Sequence, residues 1–194
     1  MKFRKFTGIL LAAACVMSMA ACGSKGDSDS GSGSDSKGGE DAGSSAVTAK
    51  VIEIDLTDEE YAFGVDKSQP ELLEQVNAFV GKIKGDGTLE EICDKYFGDG
   101  EPQAVESAEL DDSKDQLVVA TNAAFEPFEY TKGDSYYGID MEIASLLAEE
   151  LDKELVIQNM DFDAVCLSVS QQKCDIAMAG LTINEEREEY VTFT

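Results

Sequence analysis

From residue 116 to 194 short strand-like runs alternate with helical patterns, and this alternation restricts the chain more than any other feature. The spacing predicts strands at Leu117 to Thr121, Leu155 to Gln158, Cys174 to Ala179 and Tyr190 to Phe193. Helices are predicted at Ile139 to Leu151 and Phe162 to Gln171. Such alternation builds βαβ units, so the expected fold is α/β, a single lobe with a largely parallel sheet flanked by helices. Ligands in such sheets sit at the carboxyl ends of the strands. Here those ends carry Asn122 to Phe128, Asn159 to Phe162 and Gly180 to Thr182.

An earlier block, 47–98, opens with two strand-like pieces, VIEIDL (51–56) and YAFGV (61–65). A helix follows, with Leu72, Leu73, Val76, Phe79, Val80 and Ile83 on one stripe. Ser68 with Glu71 has capping-box spacing at its start, and Gly85-Asp86-Gly87 ends it. Thr88 with Glu91 has the same spacing before a short helix that runs to Phe97. Residues 99–115 are rich in turn formers and acids and read as a linker.

The start of the chain has another character. Lys2, Arg4 and Lys5 precede an apolar run that ends in small residues just before Cys22, the layout of a secretory signal over 1–21. Cys22 resembles the lipid-modified cysteine of a bacterial lipobox, although Met19 stands where that pattern prefers Leu. Residues 22–46 are glycine, serine and charge, a composition that cannot offset the entropy of ordering and predicts a flexible tether. The expected location is therefore the cell surface or periplasm, with acyl chains holding the protein at the membrane. The formal net charge of −25 argues against nucleic acid and against electrostatic attachment to anionic lipid. Cys93, Cys166 and Cys174 sit in apolar patterns, which favours buried free thiols over a Cys166–Cys174 bridge. No histidine is present and no cysteine cluster has zinc spacing, so neither a metal nor a cofactor is implied.

Arg187 is the only arginine beyond the signal region. A guanidinium kept alone in so acidic a chain is a candidate fork for a carboxylate.

Four pieces in order, AxFxPFE (123–129), GxDxEIA (138–144), the DFD turn (161–163) and DIAxAGLTxxxxR (175–187), resemble the extracellular solute-binding proteins of ABC importers for polar amino acids. Residues 61–100 resemble the carboxyl-terminal end of the same family. The family's end thus precedes its beginning here, and the part that builds most of the second lobe is absent. Either the chain is a stand-alone lobe or it is the front of a longer protein cut at Thr194. The run stops inside a strand, which favours the cut.

The resemblance implies roles for particular residues. Arg187, with the hydroxyl and N–H of Thr182, matches the clamp on an amino acid's α-carboxylate, and the Gly180 carbonyl matches an acceptor for its α-ammonium. Pairing of Arg187 with Glu185 or Glu188 is the competing account. Phe125 and Phe162 match the aromatic walls around the ligand side chain, and Phe128 is expected in the core. Asn122 stands where some relatives place an aspartate, which suggests a polar, uncharged ligand. Asp140 is expected as a dipole partner and cap of its helix in preference to a binding group. The implied partners are a small-molecule amino acid, ABC permease subunits and, through the lipid anchor, the membrane. An enzyme of the same fold would need an acid or base poised in the cleft. Asp161 and Asp163 flank Phe162, but nothing near them in sequence suggests a raised pKa, and no enzyme is expected.

Overall fold

Chain order and sheet order differ in the computed structural model of the protein, which describes residues 59–194. The signal, Cys22, the tether and the strand expected at 51–56 lie outside the described residues. In chain order the elements are β1 (Gly64–Asp66), α1 (Pro70–Asp86), α2 (Thr88–Phe97), β2 (Gln116–Thr121), β3 (Ala124–Phe125), β4 (Glu129–Lys132) and β5 (Ser135–Tyr137). Then come α3 (Ile139–Glu150), β6 (Glu154–Asn159), α4 (Phe162–Ser170), β7 (Ile176–Ala177), α5 (Glu185–Glu188) and β8 (Val191–Phe193).

The main sheet has the order β6-β2-β7-β1-β8. Its longest pairing, β2 with β6, is parallel over six residue pairs, and β2 with β7 is parallel too. β1 comes from the early block yet lies inside the sheet, antiparallel to both β7 and β8. The two pieces of chain therefore share one sheet.

Alternation along the strands sends side chains to two apolar layers. Leu117, Val119, Val65, Ile157 and Ile176 join α1, α2 and α3 on one face, with Val76, Phe79, Ile83, Met141 and Leu147. Ala120, Ala177, Ala179 and Val191 meet Val165, Cys166 and Val169 of α4 on the other. Cys93, Cys166 and Cys174 are free thiols, the last two buried.

The expected helix stripe is present: Leu72, Val76, Phe79 and Ile83 are buried. Its caps differ from expectation. Ser68 gives both its N–H and its hydroxyl to the Asp66 carboxylate, each at 2.9 Å, and its oxygen accepts the Gln172 amide at 3.0 Å, while the N-cap position falls to Gln69 with no side-chain cap bond. Pro70 opens the helix instead, where its missing N–H costs nothing. At the next junction Asp86 accepts the Thr88 N–H at 3.0 Å, and Gly87, at φ +94°, ends one helix and begins the other. The Thr88–Glu91 box does not form because Thr88 already lies within the helix.

The stretch read as a linker is fastened to the lobe. Val105 is buried and exchanges backbone bonds with Tyr136 at 2.8 and 3.1 Å. Ala108 N–H donates to Leu155, and Ile157 N–H donates to the Ser107 hydroxyl, so the outer edge of β6 is covered. The antiparallel meander β3-β4-β5 was not anticipated, and it forms one wall of the site.

Candidate functional site

A cleft of about 360 Å³ opens where β2, β6 and β7 end. All six residues singled out from the sequence line it: Asn122, Phe125, Phe162, Gly180, Thr182 and Arg187. Glu59, Tyr61, Ala124, Glu129 and Ala179 complete the wall. Two larger surface clefts, of about 710 and 480 Å³, lie against α4 and beside the first turn of α1. The acid they share, Asp175, is already engaged by Val118 N–H at 2.8 Å and by the Gln69 amide.

Arg187 is set by the short α5, whose N-cap Asn184 accepts the Arg187 N–H at 2.8 Å. The guanidinium donates to the Thr182 carbonyl at 2.6 Å and lies 5.0 Å from the centre of the Phe162 ring. Among the described residues four ion pairs form, and none involves Arg187. The competing pairing with Glu185 or Glu188 is therefore not made. A guanidinium has five N–H donors, and this one spends a single bond on its own loop.

The hydroxyl of Thr182 is occupied, donating to Glu59 at 3.1 Å. Phe125 and Phe162 are 44% and 39% exposed, unusual for phenylalanine and fitting for cleft walls. Phe128 packs behind Phe125 with ring centres 5.4 Å apart, and Tyr61 meets it edge-on at 4.9 Å. Asn122 has a structural duty beside its place in the cleft, since its amide donates to the Met160 carbonyl at 2.7 Å and ties the end of β2 to the end of β6.

Asp140 stands in the first turn of α3, where an acid suits the helix dipole, but it does not cap the helix. The N-cap of α3 is Gly138 and has no side-chain cap. The buried Asp140 carboxylate instead accepts the N–H of Gly180 at 2.8 Å. Gly180 has φ +51°, and a Cβ there would come within 3.0 Å of the Phe125 ring. A glycine is thus required for both its backbone twist and its empty side.

Sequence reasoning overlooked Glu129. It closes the AxFxPFE motif, begins β4 and is 1% exposed, and neither carboxyl oxygen has a hydrogen-bond partner. Burial, reinforced by the nearby Asp140 charge, pushes its carboxyl up to about 9. Burial likewise raises Asp140 to about 6, opposed by the Gly180 N–H. The sequence reading weighs only Asp161 and Asp163 as acids for the cleft, and Glu129 is not among them. An acid in a short, mixed strand reads as a solvent-facing residue, and only its place beside Phe128 in the motif pointed inward.

Residues 117–194 match the model of the bacterial extracellular solute-binding proteins, family 3. The arginine-binding extracellular protein ArtP of Bacillus subtilis is 35% identical over 81 residues, which is 42% of this chain and 32% of that protein. The cyclohexadienyl dehydratase of Pseudomonas aeruginosa is 35% identical over 79 residues, 40% of this chain and 30% of the enzyme. Among solved structures, the arginine-bound form of domain 1 from TmArgBP is 34% identical, covering 42% of this chain and 67% of that one, with a TM-score of 0.38. The match to the curated relatives thus spans about a third of their length. No helix among the described residues is long and apolar enough to cross a membrane.

Proposed function

We propose that this lobe is the gripping half of a substrate-binding lipoprotein that captures a polar amino acid for an ABC importer. The observation that carries the reading is the convergence of six residues on one cleft, with a guanidinium that no carboxylate among the described residues pairs with. Arg187 and Thr182 take the α-carboxylate, and the Gly180 carbonyl takes the α-ammonium. Phe125 and Phe162 sandwich the side chain, and Asn122 lies beside it. Relatives named for arginine binding support an amino acid as cargo. Cys22 carries the acyl anchor at the cell surface or in the periplasm, and permease subunits receive the cargo.

The affinity of the lobe alone follows from solvation. Micromolar capture corresponds to about −8 kcal/mol and needs both charged ends and the side chain out of water together. One lobe leaves these contacts wet, where ion pairs contribute little. Titration of residues 22–194 with the common amino acids, followed by NMR shifts, should show millimolar or weaker binding that vanishes in Arg187→Ala. Binding indifferent to Arg187 would overturn the reading. Labelled palmitate should enter the full chain in a bacterial host and fail to enter Cys22→Ala.

One observation favours a second reading. Glu129 is an acid of raised pKa in the cleft, and one relative is a dehydratase. In that case Glu129 would give a proton to a hydroxyl that leaves as water, while the substrate's carboxylate leaves as carbon dioxide and its C–C electron pair forms the new ring double bond. Incubation with cyclohexadienyl acids and mass spectrometry distinguishes the two, since loss of water requires the enzyme and an unchanged mass requires the binder.

A further inference from the structure

We propose that Tyr96 of α2, which does not line the cleft, is a positioning residue for it: its hydroxyl, held by Glu142, fixes the first turn of α3, and that turn fixes two of the cleft's walls. The inference rests on the amino-acid reading of the cleft and gives the early block a part in it.

An α-helix leaves its first N–H groups without partners of its own. In α3 they are answered from outside the helix. Gly138 N–H donates to the Tyr96 hydroxyl at 3.0 Å, Ile139 N–H to the Pro127 carbonyl at 3.0 Å and Asp140 N–H to the Phe128 carbonyl at 2.9 Å. The last two bonds hold the turn that carries Phe125, since Phe128 N–H donates to the Phe125 carbonyl at 2.9 Å. From the same first turn the Asp140 carboxylate accepts the Gly180 N–H at 2.8 Å. The aromatic wall and the Gly180–Thr182 loop are thus both fastened to one turn of helix. Where that turn sits sets the distance between them.

Tyr96 and Glu142 decide where it sits. The Tyr96 hydroxyl donates to Oε1 of Glu142 at 2.7 Å while it accepts from Gly138. Glu142, 6% exposed, also accepts the Gln103 N–H at 3.1 Å and pairs through Oε2 with Lys95 at 2.5 Å. Burial and the Glu142 bond push the phenol above its ordinary value, so the hydroxyl keeps the proton it gives. Gly138 fits closely in this arrangement, because a Cβ there would lie 2.1 Å from the Phe128 carbonyl oxygen. The Tyr96 ring packs on the core as a phenylalanine could. Its hydroxyl is the part that packing leaves to explain, and it joins α2 to the buried N-cap of α3.

The test uses residues 22–194 with L-arginine and L-glutamine as probes. Tyr96→Phe keeps the ring, removes the hydroxyl and leaves the Gly138 N–H unpaired. Affinity for a probe that binds wild type should fall roughly tenfold, and the Gly180 amide should exchange faster by a similar factor although it has lost no bond of its own. Ile92→Val trims one methylene from the core beneath α2 without touching these bonds, and should leave both readings within about twofold of wild type. Wild-type affinity and exchange in Tyr96→Phe, or an equal loss in Ile92→Val, would overturn the proposal. Should Tyr96→Phe fail to fold, wild type still decides: the Gly138 and Gly180 amides should keep one common protection level through a urea series, and unlinked exchange would refute the clamp. Exchange needs no ligand. If neither probe binds wild type while Gly180 exchange follows Tyr96→Phe, the positioning stands and the amino-acid reading alone falls.

Discussion

The backbone N–H of Gly180 donates to Oδ2 of Asp140 at 2.8 Å across forty residues of chain. The contact fixes the loop after β7 against the first turn of α3, and so sets where the Gly180 carbonyl and Thr182 point. Asp140→Ala leaves a buried N–H unpaired, which costs about 1–3 kcal/mol. Asp140→Asn keeps an acceptor and sheds a buried charge, so it should cost less than about 1 kcal/mol. Gly180→Ala adds strain at φ +51° of about 1–2 kcal/mol, together with a clash on Phe125. Urea midpoints of the three variants give the ranking, and equal midpoints for Asp140→Ala and wild type would mean that the N–H has another partner.

Stability should fall as pH rises from the mid-4s to about 9. Glu129 has its folded pKa raised from 4.5 to about 9, so the folded state holds a proton that the unfolded chain has lost across that window. Stability rises with pH only where the unfolded state binds more protons, and here it binds fewer. The loss begins above 4.5, grows by up to about 1.4 kcal/mol per unit, and levels off above the folded value. Asp140, raised from 3.8 to about 6, adds a smaller loss of the same sign between those two values. Glu129→Gln should flatten the profile above pH 6, as read from thermal midpoints against pH.

The main-sheet strands and the two long helices of 116–194 were legible because their apolar periods are strong and each ends in turn formers. The caps were not legible, since each helix starts one residue away from the register the hydroxyls suggested: the N-caps are Gln69 and Gly87, and the N–H groups of Ser68 and Thr88 go to Asp66 and Asp86. The meander was hidden by its brevity, two to four residues per strand with mixed polarity, too short for a period to show. Every site residue drawn from the family resemblance reached the cleft. The roles proved harder. A single sequence carries no sign that Asp140 bonds a loop in place of its own helix, or that Glu129 faces inward.

The early block should be essential to the lobe. Val65 and Phe79 are 0% and 5% exposed, in one core with Val119, Met141 and Ile176. Phe79→Ala should cost about 3–5 kcal/mol, a large share of the roughly 5–15 kcal/mol that holds an ordinary domain together. Circular dichroism would register a lower melting point for the whole signal, because β1 lies between β7 and β8. A loss confined to helical signal, with the sheet intact, would show instead that α1 is an appendage.

Arg187→Lys is expected to damage binding while sparing the fold. The guanidinium contributes one part-buried bond to the Thr182 carbonyl and a contact with Phe162 at 5.0 Å, the latter about 0.5–1 kcal/mol. Lysine keeps the charge but loses the planar fork that meets both oxygens of a carboxylate. NMR titration should show at least a tenfold weaker amino-acid affinity, with a thermal midpoint within a few degrees of wild type. Wild-type affinity in Arg187→Lys would reduce the residue's part to charge alone.

Glu59 should compete with the ligand for Thr182. Its carboxylate accepts the Thr182 hydroxyl at 3.1 Å, the same hydroxyl that the proposed clamp gives to an α-carboxylate. A ligand must displace it and then endure a like charge at the mouth of the cleft. Glu59→Gln removes the charge and weakens the internal bond. The contact is exposed, so the gain is that of a surface interaction, roughly two- to fivefold in affinity. Added salt should shrink the difference between the two proteins, because screening quiets the repulsion in the wild type first. The Thr182 amide shift, followed through the amino-acid titration, reports the displacement directly. An affinity unchanged by Glu59→Gln at low salt would take the Thr182 hydroxyl out of the grip and leave the carboxylate to Arg187 and the backbone.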